Sequence, residues 1–330
     1  MIELIIPAII SCILAFFVVY FTTPPLIKIL VKKNYTVKDM NKQENVLVAR
    51  PGGISIILGI VVSEIVLYGF FQLNEILAII ITTTAAFAIG YVDDRKVMGG
   101  WFKPLTLAIA ALPIIFLGTY SLDLVFPLFG DVQIPLLYLG LIIFMIPITG
   151  NTINSIDVFN GVASGFMVIA SFTLSICLFI LGNYEIAIVS LPLGFVSLAF
   201  YKYHKIPSKI FPGDSGALAF GAMYGTIAIV GGVEIIAAIA LLPAVINSFL
   251  FLSSVKRIVE HRQIKGKPVE FTTDSKLKAT NDKAAPVTLV RLILTNGPLS
   301  EKQVGVAIFK LGIFSGTLSV ITAFMMGVSL

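Results

Sequence analysis

Long apolar runs follow one another almost from one end of the chain to the other, and this pattern limits the folds open to it. Of the 330 residues, 57% are hydrophobic and 12% are charged, whereas about 25% of residues are charged in an ordinary soluble domain. A bilayer core about 30 Å thick is crossed by a helix of about 20 apolar residues. The sequence therefore predicts an all-α, polytopic membrane protein with a single membrane-embedded domain over residues 1–330, and it excludes a soluble globular fold.

Charged residues, Gly, Pro and Asn separate the apolar runs and so delimit the predicted spans. The first run is interpreted as a membrane helix rather than a signal peptide, because Glu3 stands where a signal peptide carries positive charge. The boundaries of the spans are placed at these separating residues. The ten predicted spans are residues 4–30, 54–73, 76–92, 104–118, 136–150, 161–181, 186–200, 215–231, 235–254 and 303–326.

Basic residues lie on one side of this arrangement. All of the 23 Lys and Arg residues except Lys28 and Lys310 fall in alternate loops, and the loops between them hold none. Because basic loops stay in the cytoplasm, we expect a cell-membrane protein with both termini outside. On the opposite side, residues 119–135 alternate in polarity between Pro and Gly and predict a small hairpin. The predicted cytoplasmic loops are residues 31–53, 93–103, 151–160, 201–214 and 255–302.

The rare carboxylates cluster with amides and glycines in three polar segments on the predicted cytoplasmic side. Gly90–Arg95 ends the third span, Asn151–Gly161 follows the fifth, and Phe211–Gly216 precedes the eighth. Together the three segments predict a ring of carboxylates and amides at one face of the membrane. We therefore expect the functional site there, opening to the cytoplasm.

Oxygen-bearing side chains in these segments suit a hard metal ion. Carboxylate and amide oxygens bind Mg²⁺, with Mn²⁺ as the alternative, and such ions also contact substrate phosphates. Adjacent Asp93 and Asp94 repel each other, so a metal, a cation or a shared proton is expected beside them. The alternative is a charge pair that only ends a helix. The candidate ligands are Asp93 or Asp94, Asn154, Asp157 and Asp214.

Other residues favour phosphate binding over zinc or hydrolase chemistry. Gly213–Gly216 opens a span, and a helix N-terminus binds phosphate readily. Lys103, close to Trp101, has two interpretations, a phosphate ligand or an anchor at the membrane interface. The only histidines, His204 and His261, form no nucleophile motif, and His204 is expected at the membrane interface.

These motifs, in this order, resemble those of the polyprenyl-phosphate sugar-1-phosphate transferases. This membrane superfamily includes phospho-MurNAc-pentapeptide translocase and the UDP-GlcNAc:dolichyl-phosphate GlcNAc-1-phosphate transferase. The resemblance extends over nearly the whole chain and implies ten spans with outside termini. By resemblance Asp93 and Asp94 are the catalytic aspartate pair and Lys103 is the phosphate-contacting lysine. Asp157 looks like the bacterial members, and its catalytic role is left open.

The same resemblance implies the ligands of metal and donor. Asp214 and Asn154 match the metal ligands, and Asn154 counts also among the substrate-binding residues. Phe211 matches the residue that stacks on uracil. Asn160 matches the hydrogen-bond partner of uracil, which is aspartate in the bacterial enzymes and asparagine in the dolichyl branch.

Donor choice is assigned to the loop 255–285. His261 and Arg262 resemble part of the sugar-nucleotide loop of the dolichyl branch, and the alternative is a basic loop lying near anionic lipid. Residues 38–42 and 287–299 resemble the same branch. The mixture of bacterial and dolichyl features is typical of an archaeal N-glycosylation enzyme.

The expected reaction is Mg²⁺-dependent transfer of GlcNAc-1-phosphate from UDP-GlcNAc to a polyprenyl (dolichyl) phosphate, with release of UMP. One alternative is the same chemistry with another UDP-HexNAc donor for cell-wall or surface polysaccharide. The other is a cation-coupled transporter. A transporter of this kind would carry ionisable residues near the bilayer midplane, but only Glu64 and Lys310 lie well inside the predicted spans. The expected partners are the two substrates and membrane lipid, without nucleic acid, and a homodimer is left open.

Overall fold

The computed structural model describes residues 2–40, 42, 45–96, 98–256, 266–272, 274 and 276–327. Helices dominate this part of the chain, which confirms the all-α class. The helices are α1 (Ile2–Lys32), α2 (Gly53–Phe71), α3 (Asn74–Arg95), α4 (Phe102–Ala110), α5 (Leu112–Phe116), α6 (Pro135–Ile156), α7 (Val162–Ile180), α8 (Tyr184–His204), α9 (Gly213–Val230), α10 (Glu234–Ala240), α11 (Leu242–Val255), α12 (Leu289–Ile293) and α13 (Glu301–Gly327).

Seven of the described helices are long and apolar enough to cross a membrane, and the bent pair α10–α11 would make eight. The remaining predicted spans correspond to α9 and to the shorter apolar pair α4–α5. Two of the ten predicted spans are broken, with Pro113 as the second residue of α5 and Pro243 as the second residue of α11, and proline interrupts the helical hydrogen bonds. The bend between α10 and α11 is 73°. The count of ten and the outside position of the termini stay predictions.

Helix α9 is the buried centre of the bundle. Every residue from Gly213 to Ile229 is buried, and the helix packs mainly against α3 and α6. The approach of α3 depends on Gly90, where an added Cβ would lie 2.6 Å from the Asp214 carbonyl. This close crossing brings the carboxyl end of α3 to the first turn of α9.

Three short antiparallel hairpins connect the helices. They are β1–β2 (Thr36–Lys38 with Leu47–Ala49), β3–β4 (Asp123–Phe126 with Gly130–Gln133) and β5–β6 (Val269–Phe271 with Leu277–Ala279). The hairpin β3–β4 confirms the prediction for residues 119–135. The other two were not predicted, because strands of three residues are too short to show an alternating pattern.

The five loops that were predicted to be cytoplasmic meet at one end of the bundle. Loop 31–53 contacts each of the other four loops. Arg50 contacts Asp94, and Ala49 contacts Phe211. Asp39 contacts Asn160, and Lys42 contacts Glu301. Hairpin β3–β4 lies at the opposite end, where α6 begins. The polar segments therefore share one face of the helical bundle.

Candidate functional site

Four helices bring five of the predicted site residues together at this end of the bundle. Asp93 and Asp94 lie in the last turn of α3, and Lys103 lies in the first turn of α4. Asn154 lies in the last turn of α6, and Asp214 lies in the first turn of α9. Since the residues come from helix ends, the rigid helices rather than mobile loops fix their relative positions.

Lys103 bridges two of the carboxylates. Its Nζ lies 2.9 Å from Asp93 Oδ2 and 2.8 Å from Asp214 Oδ1, and its side chain is only 6% exposed. A membrane-interface anchor would keep its ammonium in water, so the anchor interpretation of Lys103 is wrong. Lys103 instead neutralises the carboxylates of α3 and α9 at the point where the helices meet.

Arg50 makes the second bridge and was missed by the sequence analysis. Its Nη2 lies 2.9 Å from Asp94 Oδ1 and 2.6 Å from Asp214 Oδ2. Burial lowers the pKa of Arg50, but the facing Asp94 and Asp214 carboxylates raise it, and the net shift is upward. The guanidinium therefore stays charged. The repulsion expected between the adjacent aspartates is relieved by a separate cation for each, Lys103 for Asp93 and Arg50 for Asp94.

Asp94 also caps helix α9 from outside the helix. Its Oδ1 accepts the backbone N–H of Asp214 at 2.9 Å, and its Oδ2 accepts the N–H of Ser215 at 3.0 Å. Gly213 makes the approach possible, because its φ is +72° and an added Cβ would lie 2.7 Å from Asp94 Oδ2. These amides are therefore occupied by a carboxylate of the protein itself, so the phosphate predicted at this helix N-terminus would have to compete with Asp94.

The donor set suits a divalent ion that is held partly by substrate. In the described part of the chain, no three His, Cys, Asp or Glu side chains converge to hold a metal by themselves. Mg²⁺, however, is usually bound by one or two protein carboxylates together with waters and substrate phosphates. Asn154 Nδ2 lies 2.9 Å from Asp214 Oδ1, and turning this amide would present its oxygen beside the carboxylate. The three clustered carboxylates carry three negative charges, and Arg50 and Lys103 neutralise two of them. One net negative charge remains to attract the ion.

A cleft of about 610 Å³ opens beside the cluster. Phe211 lies in its wall and is held by two backbone hydrogen bonds, from its N–H to Ala49 O and from Gly52 N–H to its carbonyl. The aromatic ring predicted to stack on a base thus lines the same cleft as Arg50. The lining residues are Asn34, Tyr35, Thr36, Val37, Lys38, Asp39, Met40, Arg50, Asp94, Asn154, Asp157, Val158, Phe159, Phe211 and Gly213.

Asp157 lies in the cleft wall, directly after the end of α6. Burial raises the pKa of its carboxyl to about 7, with Arg50 opposing the shift and Asp214 adding to it. The Nε2 atom of His204 is 3.6 Å from Asp157 Oδ1, and its Nδ1 is 2.9 Å from Ser164 Oγ. His204 is completely buried at the end of α8, so it does not lie on the surface of the bundle, and its position at the membrane interface stays a prediction.

Asn160 lies apart from the charged cluster. It is 5% exposed, its Nδ2 donates to Asp39 Oδ2 at 2.9 Å, and its backbone N–H donates to Glu301 Oε1. Its role towards uracil stays a prediction. Asp39 was missed as its partner, because the contact depends on how the hairpin β1–β2 folds over the bundle. His261 and Arg262 lie outside the described residues, and their roles also stay predictions.

Comparisons with known proteins show a family and several relatives of this chain. The model of glycosyl transferase family 4 matches residues 76–232, which contain all five clustered residues but not Arg50. A protein of Methanocaldococcus jannaschii, provisionally named a glycosyltransferase, is 30% identical over 90% of this chain and 91% of its own. A protein of Saccharolobus solfataricus, provisionally named a UDP-N-acetylglucosamine–dolichyl-phosphate N-acetylglucosaminephosphotransferase, is 26% identical over 93% of this chain and 94% of its own.

A bacterial relative covers less of the chain. The phospho-N-acetylmuramoyl-pentapeptide-transferase of Staphylococcus aureus is 32% identical over 54% of this chain and 60% of its own. The similarity to the archaeal proteins extends through nearly the whole of both chains, and the family model covers α3 to α9, where the carboxylates and cations meet. The chain therefore belongs to glycosyl transferase family 4, as a multi-pass membrane transferase of the polyprenyl-phosphate hexosamine-1-phosphate type.

Proposed function

We propose that this protein transfers GlcNAc-1-phosphate from UDP-GlcNAc to a polyprenyl (dolichyl) phosphate and releases UMP. The reaction would be the first step in building a lipid-linked oligosaccharide for N-glycosylation. It would take place at the cytoplasmic face of the cell membrane. A different UDP-HexNAc donor, with the same chemistry, is the alternative that a donor panel would reveal.

One observation carries the proposal. Asp214, Asn154, Lys103 and Arg50 meet where a cleft opens at one end of a membrane-spanning bundle. Transfer between a nucleotide diphosphate and a lipid phosphate brings several negative charges together, and cations stabilise the additional charge on the transferred group. Such a reaction needs its cations at the membrane surface, where a water-soluble donor and a lipid acceptor can both reach them.

In the proposed reaction an oxygen of the lipid phosphate attacks the β-phosphorus of UDP-GlcNAc. The bond between that phosphorus and the bridging oxygen breaks, and UMP leaves with this oxygen. Lys103 would donate to phosphate oxygens, and Phe211 would hold the uracil ring by stacking. A Mg²⁺ ion bound by Asp214 and Asn154 would supply further neutralisation of phosphate charge. The acceptor is already anionic at neutral pH, so an aspartate base is not required.

The test is release of UMP by the purified full-length protein in detergent. We expect UMP only when UDP-GlcNAc, polyprenyl phosphate and Mg²⁺ are all present, and no UMP from Asp214→Asn under the same conditions. UMP formed without the lipid acceptor would indicate hydrolysis and contradict the proposal. A panel of UDP-GlcNAc, UDP-GalNAc and UDP-glucose with one acceptor would identify the donor.

A further inference from the structure

We propose that Arg50 is an internal cation which a divalent metal ion displaces from Asp214, and that the released guanidinium then binds a phosphate oxygen of the nucleotide diphosphate. The inference rests on the proposed function for the identity of the diphosphate. It assigns a role to a residue for which the motifs of the sequence indicated none.

Asp214 is held on both of its carboxylate oxygens. Oδ1 receives Lys103 at 2.8 Å and Asn154 at 2.9 Å, whereas Oδ2 receives Arg50 at 2.6 Å. A divalent ion that binds this carboxylate comes within a few ångströms of both cations, and like charges at such distances repel strongly in a partly buried site. One of the two cations therefore has to withdraw when the metal binds.

Arg50 is the cation that can withdraw. The Lys103 side chain is 6% exposed and is fixed between two carboxylates. The Arg50 side chain is 24% exposed, lies in the loop before α2 and lines the cleft. Its Nε is 3.1 Å from Asp94 Oδ1, so Arg50 can release Asp214 and remain attached to Asp94.

The displaced guanidinium lies where it can bind a phosphate group of the nucleotide diphosphate. Arg50 shares the cleft wall with Asn154 and Phe211, so a diphosphate that binds the metal at Asp214 lies within reach of its donors. A planar guanidinium matches two phosphate oxygens, which an ammonium cannot do. Metal and nucleotide would thus bind cooperatively, because the metal frees the residue that holds the nucleotide.

Two binding measurements on the full-length protein in detergent test the proposal without turnover. The first is Mn²⁺ affinity, measured by electron paramagnetic resonance without nucleotide or lipid. Arg50→Gln should bind Mn²⁺ about tenfold more tightly than wild type, because the internal competitor is gone. Arg95→Gln is the matched control: its guanidinium lies 3.8 Å from the centre of the Tyr35 ring, and its Mn²⁺ affinity should change less than about twofold.

The second measurement is UDP affinity in saturating Mn²⁺, by calorimetry. Both Arg50→Gln and Arg50→Lys should bind UDP about tenfold more weakly, because glutamine lacks the charge and lysine lacks the fork. Arg95→Gln should bind UDP as wild type does. If Arg50→Gln does not fold, as judged by its thermal unfolding, Arg50→Lys carries this measurement alone.

The outcomes separate this proposal from the proposed function. Unchanged or weaker Mn²⁺ binding in Arg50→Gln, equal tightening in both glutamine variants, or unchanged UDP binding in either Arg50 variant would overturn the role of Arg50. The expected binding results together with no UMP release from UDP-GlcNAc would support Arg50 and reject the proposed donor.

Discussion

Asp94 holds Ser215 by two hydrogen bonds. Its Oδ2 accepts the backbone N–H at 3.0 Å and the hydroxyl at 2.7 Å. Its Oδ1 accepts the N–H of Asp214 and the guanidinium of Arg50. With both oxygens committed to donors, Asp94 is better placed to fix the first turn of α9 than to accept a proton from substrate.

Asp94→Asn should therefore impair turnover severely through misplacement of Asp214. A carboxamide has one acceptor oxygen, and its NH₂ group would face N–H donors, so we expect a cost of roughly 1–3 kcal/mol in unfolding free energy. Ser215→Ala loses one hydroxyl, should cost roughly 1 kcal/mol, and should retain most activity. UMP release and chemical unfolding of both variants provide the check. Wild-type turnover in Asp94→Asn would show that the cap is dispensable.

Asp214→Ala should abolish both turnover and the response to Mg²⁺. Its carboxylate balances two largely buried cations, Lys103 and Arg50, and removal of one partner from a buried ion pair costs about 3–5 kcal/mol. Asp214→Asn keeps the shape of the side chain and is the safer variant. A Mg²⁺ titration of UMP release measures the effect, and full activity in Asp214→Ala would remove the metal assignment.

Asp157 should make the protein less stable as the pH rises. Burial raises its pKa to about 7, whereas an aspartate in an unfolded chain titrates near pH 4. Between these two pKa values the Asp157 carboxyl holds a proton in the folded state and has lost it in the unfolded state. The free energy of unfolding therefore falls from about pH 4 to about pH 7 and then levels off.

Asp157→Asn should lose this dependence and retain part of its activity, with a smaller loss than in Asp94→Asn. Thermal unfolding of the variant and of wild type, measured in parallel from about pH 5 to about pH 8, should give curves that diverge as the pH rises. Parallel curves would mean that Asp157 is ionised across the whole range.

Cysteine labelling can establish which end of the bundle faces the cytoplasm. Lys103 and Asn160 are 4% and 5% exposed, so neither can report on access. Met40 and Trp101 are 62% and 68% exposed at the site end, and Phe129 is 86% exposed at the other. In a cysteine-free background, single cysteines at Met40 and Trp101 should react with an impermeant reagent only from the cytoplasm. The reverse result would reject both the topology and a cytoplasmic donor.

Arg262→Ala should raise the KM for UDP-GlcNAc and weaken discrimination against other UDP-sugars, with Mg²⁺ dependence unchanged. The loss of one charged hydrogen bond corresponds to roughly 1–3 kcal/mol in kcat/KM. His261→Ala should act in the same direction through a sugar hydroxyl. Steady-state kinetics with several donors decide the matter. Unaltered kinetics in both variants would assign this basic loop to the lipid surface.

The sequence predicts the clustered aspartates and Lys103 but not Arg50. Asp93, Asp94 and Asp214 are conspicuous because carboxylates are rare in so apolar a chain, and their shared loop side follows from the distribution of Lys and Arg. Arg50 is one of the basic residues of the predicted cytoplasmic loops. Because topology already explains a basic residue at this position, the sequence gives no further sign that Arg50 belongs to a site. Only the crossing of α3 and α9 distinguishes it from the other basic residues.

Contacts between distant loops and breaks within helices were also beyond the sequence. The pairing of Asn160 with Asp39 depends on two residues that are 121 positions apart, and neither carries a local signal for the other. Pro113 and Pro243 lie inside apolar runs that hydropathy interprets as continuous spans. Composition thus predicts that these runs are buried in the bilayer or the bundle. It does not predict where they break, because Pro147 and Pro192 lie inside the unbroken helices α6 and α8.

The ion pair between Lys42 and Glu301 has a consequence for biosynthesis. These residues are 259 positions apart and their charged atoms lie 2.7 Å from each other. Glu301 also accepts the backbone N–H of Asn160, so the last helix secures two earlier loops around the cleft. During translation these contacts can form only after Glu301, the first residue of α13, has left the ribosome. A growing chain therefore cannot complete the surroundings of its cleft until its last helix begins to emerge.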